Sequence, residues 1–587
     1  MGKFRTRVKG KGKRWRKGQS SSCNPETKIN RDAAKSRFFQ EHLPGKSNLT
    51  SEALQKHNAF MKCEIRNEEE EEVASVGSGS IGTFKTFNTF ASDWSECSNI
   101  SFNKLLKGFD SKSALHKEML AVLAAVTEVI KANGGKETAT EYFAALMTTL
   151  QGSENVDCIT AVLSLLGMGL KAVPENILRL KFSEVSKTFI DLLGQFATSS
   201  NNVILRHLIG CLSVLLRAQD AAVWSNSSTI HAFDSVLSFT IHSKPKVRKA
   251  AQHAVCVILK GSRVMEENAP SYHPAAAHAA KFCIHQLESG SSLGGSTTML
   301  HMMVLLKEIL GTFPKSQMKQ ACEGILKAMT LGNVLVLSCG MQALHGLFLS
   351  RPPATSLSGE LNAQLISALF DYQPAATDMQ PTLAWLAVMQ EAYVNLARLD
   401  LNLWCANLPR LFGVATNLWL SERNEIMSNA TLAMETVLES AMKEACAPDK
   451  FKLYKPMIQK VIHCAEAGLK YQYNTAWPYV LHLLGAIFEF TGESCYSLLE
   501  SCLKSLGELR DSEQFSFRNE LENAVGRAIK SMGPEKVLSA IPLQITGSET
   551  NYEFKRSWML PVLKENINGA PLKFFITYFL PIATACR

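Results

Sequence analysis

His242–Gly261 reads HSKPKVRKAAQHAVCVILKG, and its pattern decides how most of the chain is built. Ser243 is placed to cap a helix whose first turn takes Pro245. Val247, Ala250, Ala251, Ala254, Val255, Ile258 and Leu259 recur at three- and four-residue steps, so they share one side of that helix. Lys244, Lys246, Arg248 and Lys249 crowd its first turn. The alanines in mid-stripe let a neighbouring helix approach closely, as stacked helical repeats require. A helix of this kind cannot bury its stripe alone, so the stretch predicts partners built to the same plan.

The partners are found in the same chain. Ile204, Leu208, Cys211 and Leu212 stand 43 residues before Val247, Ala251, Ala254 and Val255. Val336, Gly340, Ala343 and Phe348 stand 89 residues after Val247, Ala251, Ala254 and Leu259, and Ile426, Ala430, Ala433 and Leu438 stand 179 after the same four. Those offsets are roughly one, two and four units of the ~40–47-residue HEAT or armadillo repeat. The Pro-x-Val-Arg-Lys-Ala-Ala string is itself typical of a HEAT second helix.

Working outward, Leu115, Met119, Val122, Leu123, Val126 and Ile130 form another amphipathic stripe. Asn133-Gly134-Gly135 stops it, and Thr138 with Glu141 supplies a capping box for the next helix. Helices are predicted over 155–172, 183–198, 202–217, 229–241, 244–260, 273–289, 296–311, 315–330 and 333–349. Further helices are predicted over 358–371, 379–399, 405–419, 423–444, 451–470, 475–491, 494–509, 516–532 and 556–568. Convincing β alternation is absent. The fold expected is all-α: an α-solenoid of HEAT/armadillo-like helical hairpins over 98–587, preceded by a disordered tail and linker over 1–95. Phe574–Ala585 stays strongly apolar, whereas a solenoid needs a polar terminal face, so the solenoid is expected to be truncated there.

The chain has 587 residues, 46% of them apolar and 20% charged, which is ample material for a core. Its net charge of +9 is a property of one end. Residues 1–18 hold nine Lys or Arg and no acid, leaving 53 basic and 53 acidic groups in the remainder. The fifteen cysteines are scattered, with no C-x-x-C pair, a spacing that argues against zinc fingers, iron–sulfur clusters and redox motifs. The basic start is followed by no apolar h-region, and no segment approaches the ~20 apolar residues of a membrane span.

The tail carries several features whose readings stay open. Lys9, Lys11, Lys13, Arg14, Trp15, Arg16 and Lys17 fit a nuclear-import signal, or an RNA grip in which cations meet phosphates while Trp15 stacks on a base, or a solubilising terminus. The acidic run Glu68–Glu72 reads as a solvated linker, a segment that folds back on the basic tail or a contact for a basic partner. Gly77-Ser78-Gly79-Ser80-Ile81-Gly82 spells G-x-G-x-x-G, but no hydrophobic strand precedes it and no helix follows, so a flexible linker explains it better. Phe84, Phe87, Phe90 and Trp94 read as an extended strap that docks elsewhere. Met1-Gly2-Lys3-Phe4-Arg5-Thr6 matches the myristoylation pattern, which makes a lipid-anchored adaptor one competing reading.

No catalytic constellation survives scrutiny. P-loop, H-E-x-x-H and G-x-S-x-G motifs are absent, and His207 with Cys211 or His253 with Cys256 supplies only part of a tetrahedral metal site. Neither enzymatic activity nor a cofactor, metal or small-molecule substrate is expected. Lys246 and Lys249 are candidate RNA contacts.

AVLAAVTEVIKANGGKETATEYFAALMTTL at 121–150, the stretch at 242–261, GPEKVLSAIPL at 533–543, RSWMLPVLKENI and FFITYFLPIA, together with KRWRKG near the start, resemble the ribosomal RNA-processing protein 12 family. The resemblance implies a nuclear and nucleolar HEAT-repeat protein that binds RNA. It implies action in pre-rRNA processing, small-subunit maturation and export of pre-ribosomal subunits, with pre-rRNA, pre-ribosomal particles, the Ran GTPase and nuclear-pore proteins as partners. Family chains are about twice this length, and Thr584-Ala585-Cys586-Arg587 departs from the expected continuation. An importin-like nuclear transport receptor is the other competing reading.

Overall fold

The computed structural model describes residues 113–199, 201–266, 270–292, 296–546 and 553–585. The readings of the basic tail, Gly2, the acidic run, the glycine–serine run and the aromatic strap all lie outside the described residues. The described helices fall into two compact units, one reaching Leu365 and the other starting at Ile366.

In the first unit the predicted punctuation operates as chemistry. Helix α1 (Ala114–Ala132) ends at Asn133, Gly134 takes a φ of +73°, and the Gly135 N–H donates back to the Ile130 carbonyl at 2.9 Å. That left-handed turn is one only glycine adopts freely. The next helix, α2 (Ala139–Gly152), opens with the capping box: the Thr138 N–H donates to Glu141 Oε2 at 2.9 Å and the Glu141 N–H to Thr138 Oγ1 at 3.4 Å.

Hairpins follow in series: α2 with α3 (Val156–Gly169), short α4 (Glu175–Leu180) and α5 (Phe182–Phe196) with α6 (Asn202–Arg217), and α7 (Ser227–Ser238) with α8 (Pro245–Gly261). Then come α9 (Ala276–Ser292) with α10 (Ser296–Ile309) and α11 (Lys315–Met329) with α12 (Val334–Leu349). Helices α1, α3, α6, α8, α10 and α12 pack side by side as one row, while α5, α7, α9 and α11 form the other. The paired helices α3, α6, α8, α10 and α12 begin at Val156, Asn202, Pro245, Ser296 and Val334, about 40–50 residues apart, which is the HEAT or armadillo spacing.

Helix α13 (Gly359–Phe370) contains the division between the units. The second unit continues with α14 (Met379–Leu399) and the hairpins α15 (Leu401–Asn417) with α16 (Asn424–Ala445), α17 (Phe451–Ala467) with α18 (Trp477–Thr491), and α19 (Tyr496–Asp511) with α20 (Arg518–Met532). Short α21 (Pro534–Ala540) leads through a two-stranded antiparallel ribbon, β1 (Ile545–Thr546) and β2 (Glu553–Phe554), to α22 (Met559–Asn566). Helix α23 (Leu572–Phe574) runs through a π-turn at Phe575–Phe579 into α24 (Leu580–Ala585), and this stretch leaves Leu572, Phe575, Ile576 and Leu580 exposed. Three tryptophans anchor the unit's core. Trp385 donates to the Leu369 carbonyl at 2.8 Å and Trp419 to Thr431 Oγ1 at 2.9 Å, so these two rings are buried without orphaning their N–H; Trp404, the third, is buried with its N–H unpartnered.

All four superposed sets from the sequence occupy the same face of their helices. Ile204, Leu208 and Leu212 on α6, Val247, Ala251 and Val255 on α8, Val336, Ala343 and Phe348 on α12, and Ile426, Ala430 and Leu438 on α16 are buried to 1% exposure or less. Small residues in that stripe set the distance between neighbours. Gly346 shows the limiting case, since a Cβ there would collide with the Lys307 carbonyl of α10.

The structure corrects the sequence reading at several points. Ser243 does not cap α8: Lys244 is the N-cap residue with no side-chain cap, and its N–H donates to His242 Nδ1 at 3.1 Å. Ala250 is only half-buried, while Gln252, outside the predicted stripe, lies in the core. Its amide donates to the Thr240 carbonyl at 3.3 Å and to the His301 carbonyl at 3.0 Å, tying α8 to α10. Helix α15 starts earlier than predicted, at Leu401, because Asp400 caps it by accepting the Leu403 N–H at 3.0 Å. Helices α4 and α21 and the ribbon have no counterpart in the predicted elements.

Candidate nucleic-acid interface

The buried stripe of α8 leaves the opposite face to solvent, and that face carries Lys246, Lys249, His253, Cys256 and Lys260 at three- and four-residue steps. Lys246, Lys249 and Lys260 are exposed; His253 and Cys256 are half-buried. The other first-turn cations are used locally. Lys244 Nζ donates to the Ser199 carbonyl at 2.5 Å, and Arg248 Nη1 to the His242 carbonyl at 2.7 Å, so these two hold the turn at the start of α8.

Neighbouring helices extend the face. Arg206 on α6 stands 43 residues before Lys249, the same offset that aligns the buried stripes, and Lys307 lies on α10. Helices α3, α6, α8, α10 and α12 together carry seven Lys or Arg against Asp157 and Glu308, whereas α2, α5, α7, α9 and α11 carry five Lys against six acids. Helix α1, in the same row as the basic set, is balanced, with two Lys and two Glu. A nearly neutral composition is therefore sorted by row.

Not every cation in the region is available to a ligand. Arg179 pairs with Asp220 at 3.0 Å and Glu175 at 3.4 Å, and Arg263 pairs with Glu175. Arg217 Nε donates to the Gly261 carbonyl at 2.8 Å, closing the end of α8. Among the described residues, Arg206, Lys246, Lys249, Lys260 and Lys307 have no carboxylate partner. The electrostatics of the histidines report the same sign. Burial lowers the pKa of His253, and the nearby Lys171 and Arg217 lower it further; burial and then Arg248 do the same to His301.

The two His/Cys pairs are packing groups. Burial, with Arg206 adding to it, holds His207 at about 4, and burial pushes the Cys211 thiol up to about 12 and raises that of Cys256. Among the described residues no three His, Cys, Asp or Glu side chains come together as a metal site, and no helix is long and apolar enough to cross a membrane. Lys9, Lys11, Lys13, Arg14, Trp15, Arg16 and Lys17 lie outside the described residues.

In the second unit the corresponding helices α16, α18 and α20 carry four Lys or Arg against seven acids, and Arg527 is paired. Glu435 on α16 meets His482 on α18 at 2.9 Å and Arg527 on α20 at 3.6 Å, and Arg527 Nε reaches Glu489 at 2.9 Å. The His482 hydrogen bond, with Arg527 adding to it, keeps the Glu435 carboxyl below its ordinary value. The sequence reading named Lys246 and Lys249, which are exposed on α8, and did not name Arg206, Lys260 or Lys307. Assigning each cation to the first or second helix of its hairpin groups all five.

Comparison with known proteins agrees with this architecture. Residues 101–355 match a family model for RRP12-like N-terminal HEAT repeats, and residues 420–587 match one for the HEAT repeats of ribosomal RNA-processing protein 12. The RRP12-like protein of Homo sapiens is 44% identical over 598 residues, covering 100% of this chain and 46% of its own length. Ribosomal RNA-processing protein 12 of Saccharomyces cerevisiae is 24% identical over 526 residues, covering 81% of this chain and 42% of the yeast protein. The chain thus spans a little under half the length of these relatives. A crystal structure of Kap121p superposes with a TM-score of 0.45 at 13% identity, over 89% of this chain and 49% of that one. Matched by two models of one family along most of its length, the chain belongs to the ribosomal RNA-processing protein 12 family of HEAT-repeat proteins.

Proposed function

We propose that this protein is a non-enzymatic scaffold of ribosome biogenesis that holds precursor ribosomal RNA along the basic helix row of its first unit. The observation that carries the reading is the set of five cations, Arg206, Lys246, Lys249, Lys260 and Lys307, that share one row and have no carboxylate partner among the described residues. Cations fixed on successive rigid helices track a phosphate backbone without reading sequence, which suits a factor that accompanies a large folded RNA. The basic tail adds a second grip, in which Trp15 stacks on an unpaired base. The setting is the nucleus and nucleolus, in pre-rRNA processing, small-subunit maturation and export of pre-ribosomal subunits. Pre-ribosomal particles, the Ran GTPase and nuclear-pore proteins are the proposed partners.

Crosslinking in cells followed by RNA sequencing tests the reading, which predicts recovery of pre-rRNA; recovery of none refutes it. In solution, Lys246→Ala/Lys249→Ala/Lys260→Ala in the full chain lowers the slope of log K against log salt by about 2 for single-stranded RNA. An unchanged slope removes α8 from the interface.

A further inference from the structure

The basic row has a candidate occupant within its own chain. Residues 68–72 are five consecutive glutamates, a run that no part of the proposed RNA contact uses. We propose that Glu68–Glu72 docks on the exposed lysines of α8 when RNA is absent, so that the protein screens its own RNA surface. The inference rests on the RNA reading above for its consequence, and on geometry and charge for the contact itself.

Three observations support it. Lys246, Lys249 and Lys260 are exposed and have no carboxylate partner among the described residues, so the charge that the row lacks is the charge that the run supplies. About 40 residues separate Glu72 from Ser113 at the start of α1, and at ~3.3–3.6 Å per residue that much chain can span up to roughly 130 Å. Helices α1, α3, α6 and α8 are successive neighbours in one row; at 8–10 Å between axes, α8 lies roughly 30 Å from α1. The reach of the connection exceeds that distance, so the run can meet the lysines as an intramolecular partner. On α8 the lysine backbones are already fixed by the helix, so their share of the ordering cost is met before any contact forms.

Zero-length carbodiimide coupling of the full chain, read by peptide mass spectrometry, tests the contact. The expected result is amide links from Glu68–Glu72 to Lys246, Lys249 or Lys260, suppressed by single-stranded RNA and by about 0.5 M salt, where screening extends only a few ångströms. Links confined to Lys9–Lys17, or no links, overturn the proposal. The consequence is tested by a double-mutant cycle on RNA affinity. A run that occupies the row half to four-fifths of the time weakens RNA binding about two- to five-fold. Replacing the five glutamates by glutamine therefore tightens binding by that factor in the wild-type background, and leaves it unchanged when Lys246, Lys249 and Lys260 are already alanine. An equal gain in both backgrounds overturns self-screening, because added net charge alone then explains it. If the alanine substitutions by themselves do not change RNA affinity, the RNA reading fails, while the coupling result still decides whether the contact exists.

Discussion

Lowering the pH separates the buried histidine His273 from the rest of the first unit. His273 has no exposed surface, lies 4.5 Å edge-on from the Trp224 ring, and accepts the Ala275 N–H on Nδ1 at 3.1 Å. Burial lowers its pKa from 6.5 to about 4 in the folded protein. The unfolded chain takes up a proton near 6.5 and the folded chain does so only near 4, so the stability that neutral His273 contributes is fully present above pH 6.5. It is lost as pH falls and levels off below about 4. At 1.36 kcal/mol per unit the total is about 3 kcal/mol, of which about 2 kcal/mol is gone by pH 5. In the His273→Asn variant the side-chain carbonyl can still accept the Ala275 N–H, and nothing there titrates. Wild type should therefore lose about 2 kcal/mol more than His273→Asn between pH 7.5 and pH 5, equivalent to roughly 4–8 °C in Tm for a unit of this size. Urea titrations at both pH values measure the difference, and His207, which titrates in both proteins, cancels from it. Equal losses in the two proteins would show that His273 is not held neutral by its site.

Three further outcomes follow from named contacts. Gln252→Met keeps the volume but removes donors to the Thr240 and His301 carbonyls, and should cost about 1–3 kcal/mol, with faster amide exchange in α8 and α10; unchanged exchange would mean that Gln252 does not join them. Gly346→Ala forces a methyl against the Lys307 carbonyl and should destabilise α10 and α12 by about 1–3 kcal/mol, a thermal melt indistinguishable from wild type being the contrary result. Deleting residues 2–18 removes nine cations and should reduce the RNA salt slope by up to about 6, while the helical far-ultraviolet signal stays the same; an unaltered slope would take the tail out of RNA binding.

The fold was legible because one packing demand repeats. Val247, Ala251 and Val255 face a neighbouring helix and so do their counterparts on α6, α12 and α16, and a periodicity that packing enforces survives in any sequence that folds this way. What was illegible depends on contacts distant in sequence. Helices α4 and α21 and the two-residue strands of the ribbon are too short to show a period. Gln252 stands outside the predicted stripe until its two carbonyl partners are known, and Ser243 reads as a cap until His242 is seen to take the Lys244 N–H. For the candidate site, the exposure of Lys246 and Lys249 follows from their position opposite the apolar stripe. The diversion of Lys244 and Arg248 to backbone carbonyls does not, since the Ser199 carbonyl belongs to the preceding hairpin.

Charge illustrates why a solenoid hides function from its composition. Each hairpin sends one helix to each row, so a cation that recurs about every 45 residues on second helices accumulates along a single surface, while the first helices, with five Lys against six acids, stay close to balance. Acids elsewhere in the chain offset that surplus, and the body beyond residue 18 counts as neutral. A polyanion does not meet the sum. It meets whichever row it lies against, within a screening length of about 8 Å at physiological salt, which is less than the spacing between one row and the next. Arg206, Lys246, Lys249, Lys260 and Lys307 therefore act on a ligand as a local array whose strength is independent of the acids on α5 or α7. It depends strongly on any acid brought to the same row, and for that reason five glutamates on a tether of about 40 residues can matter more than the acids fixed elsewhere in the fold.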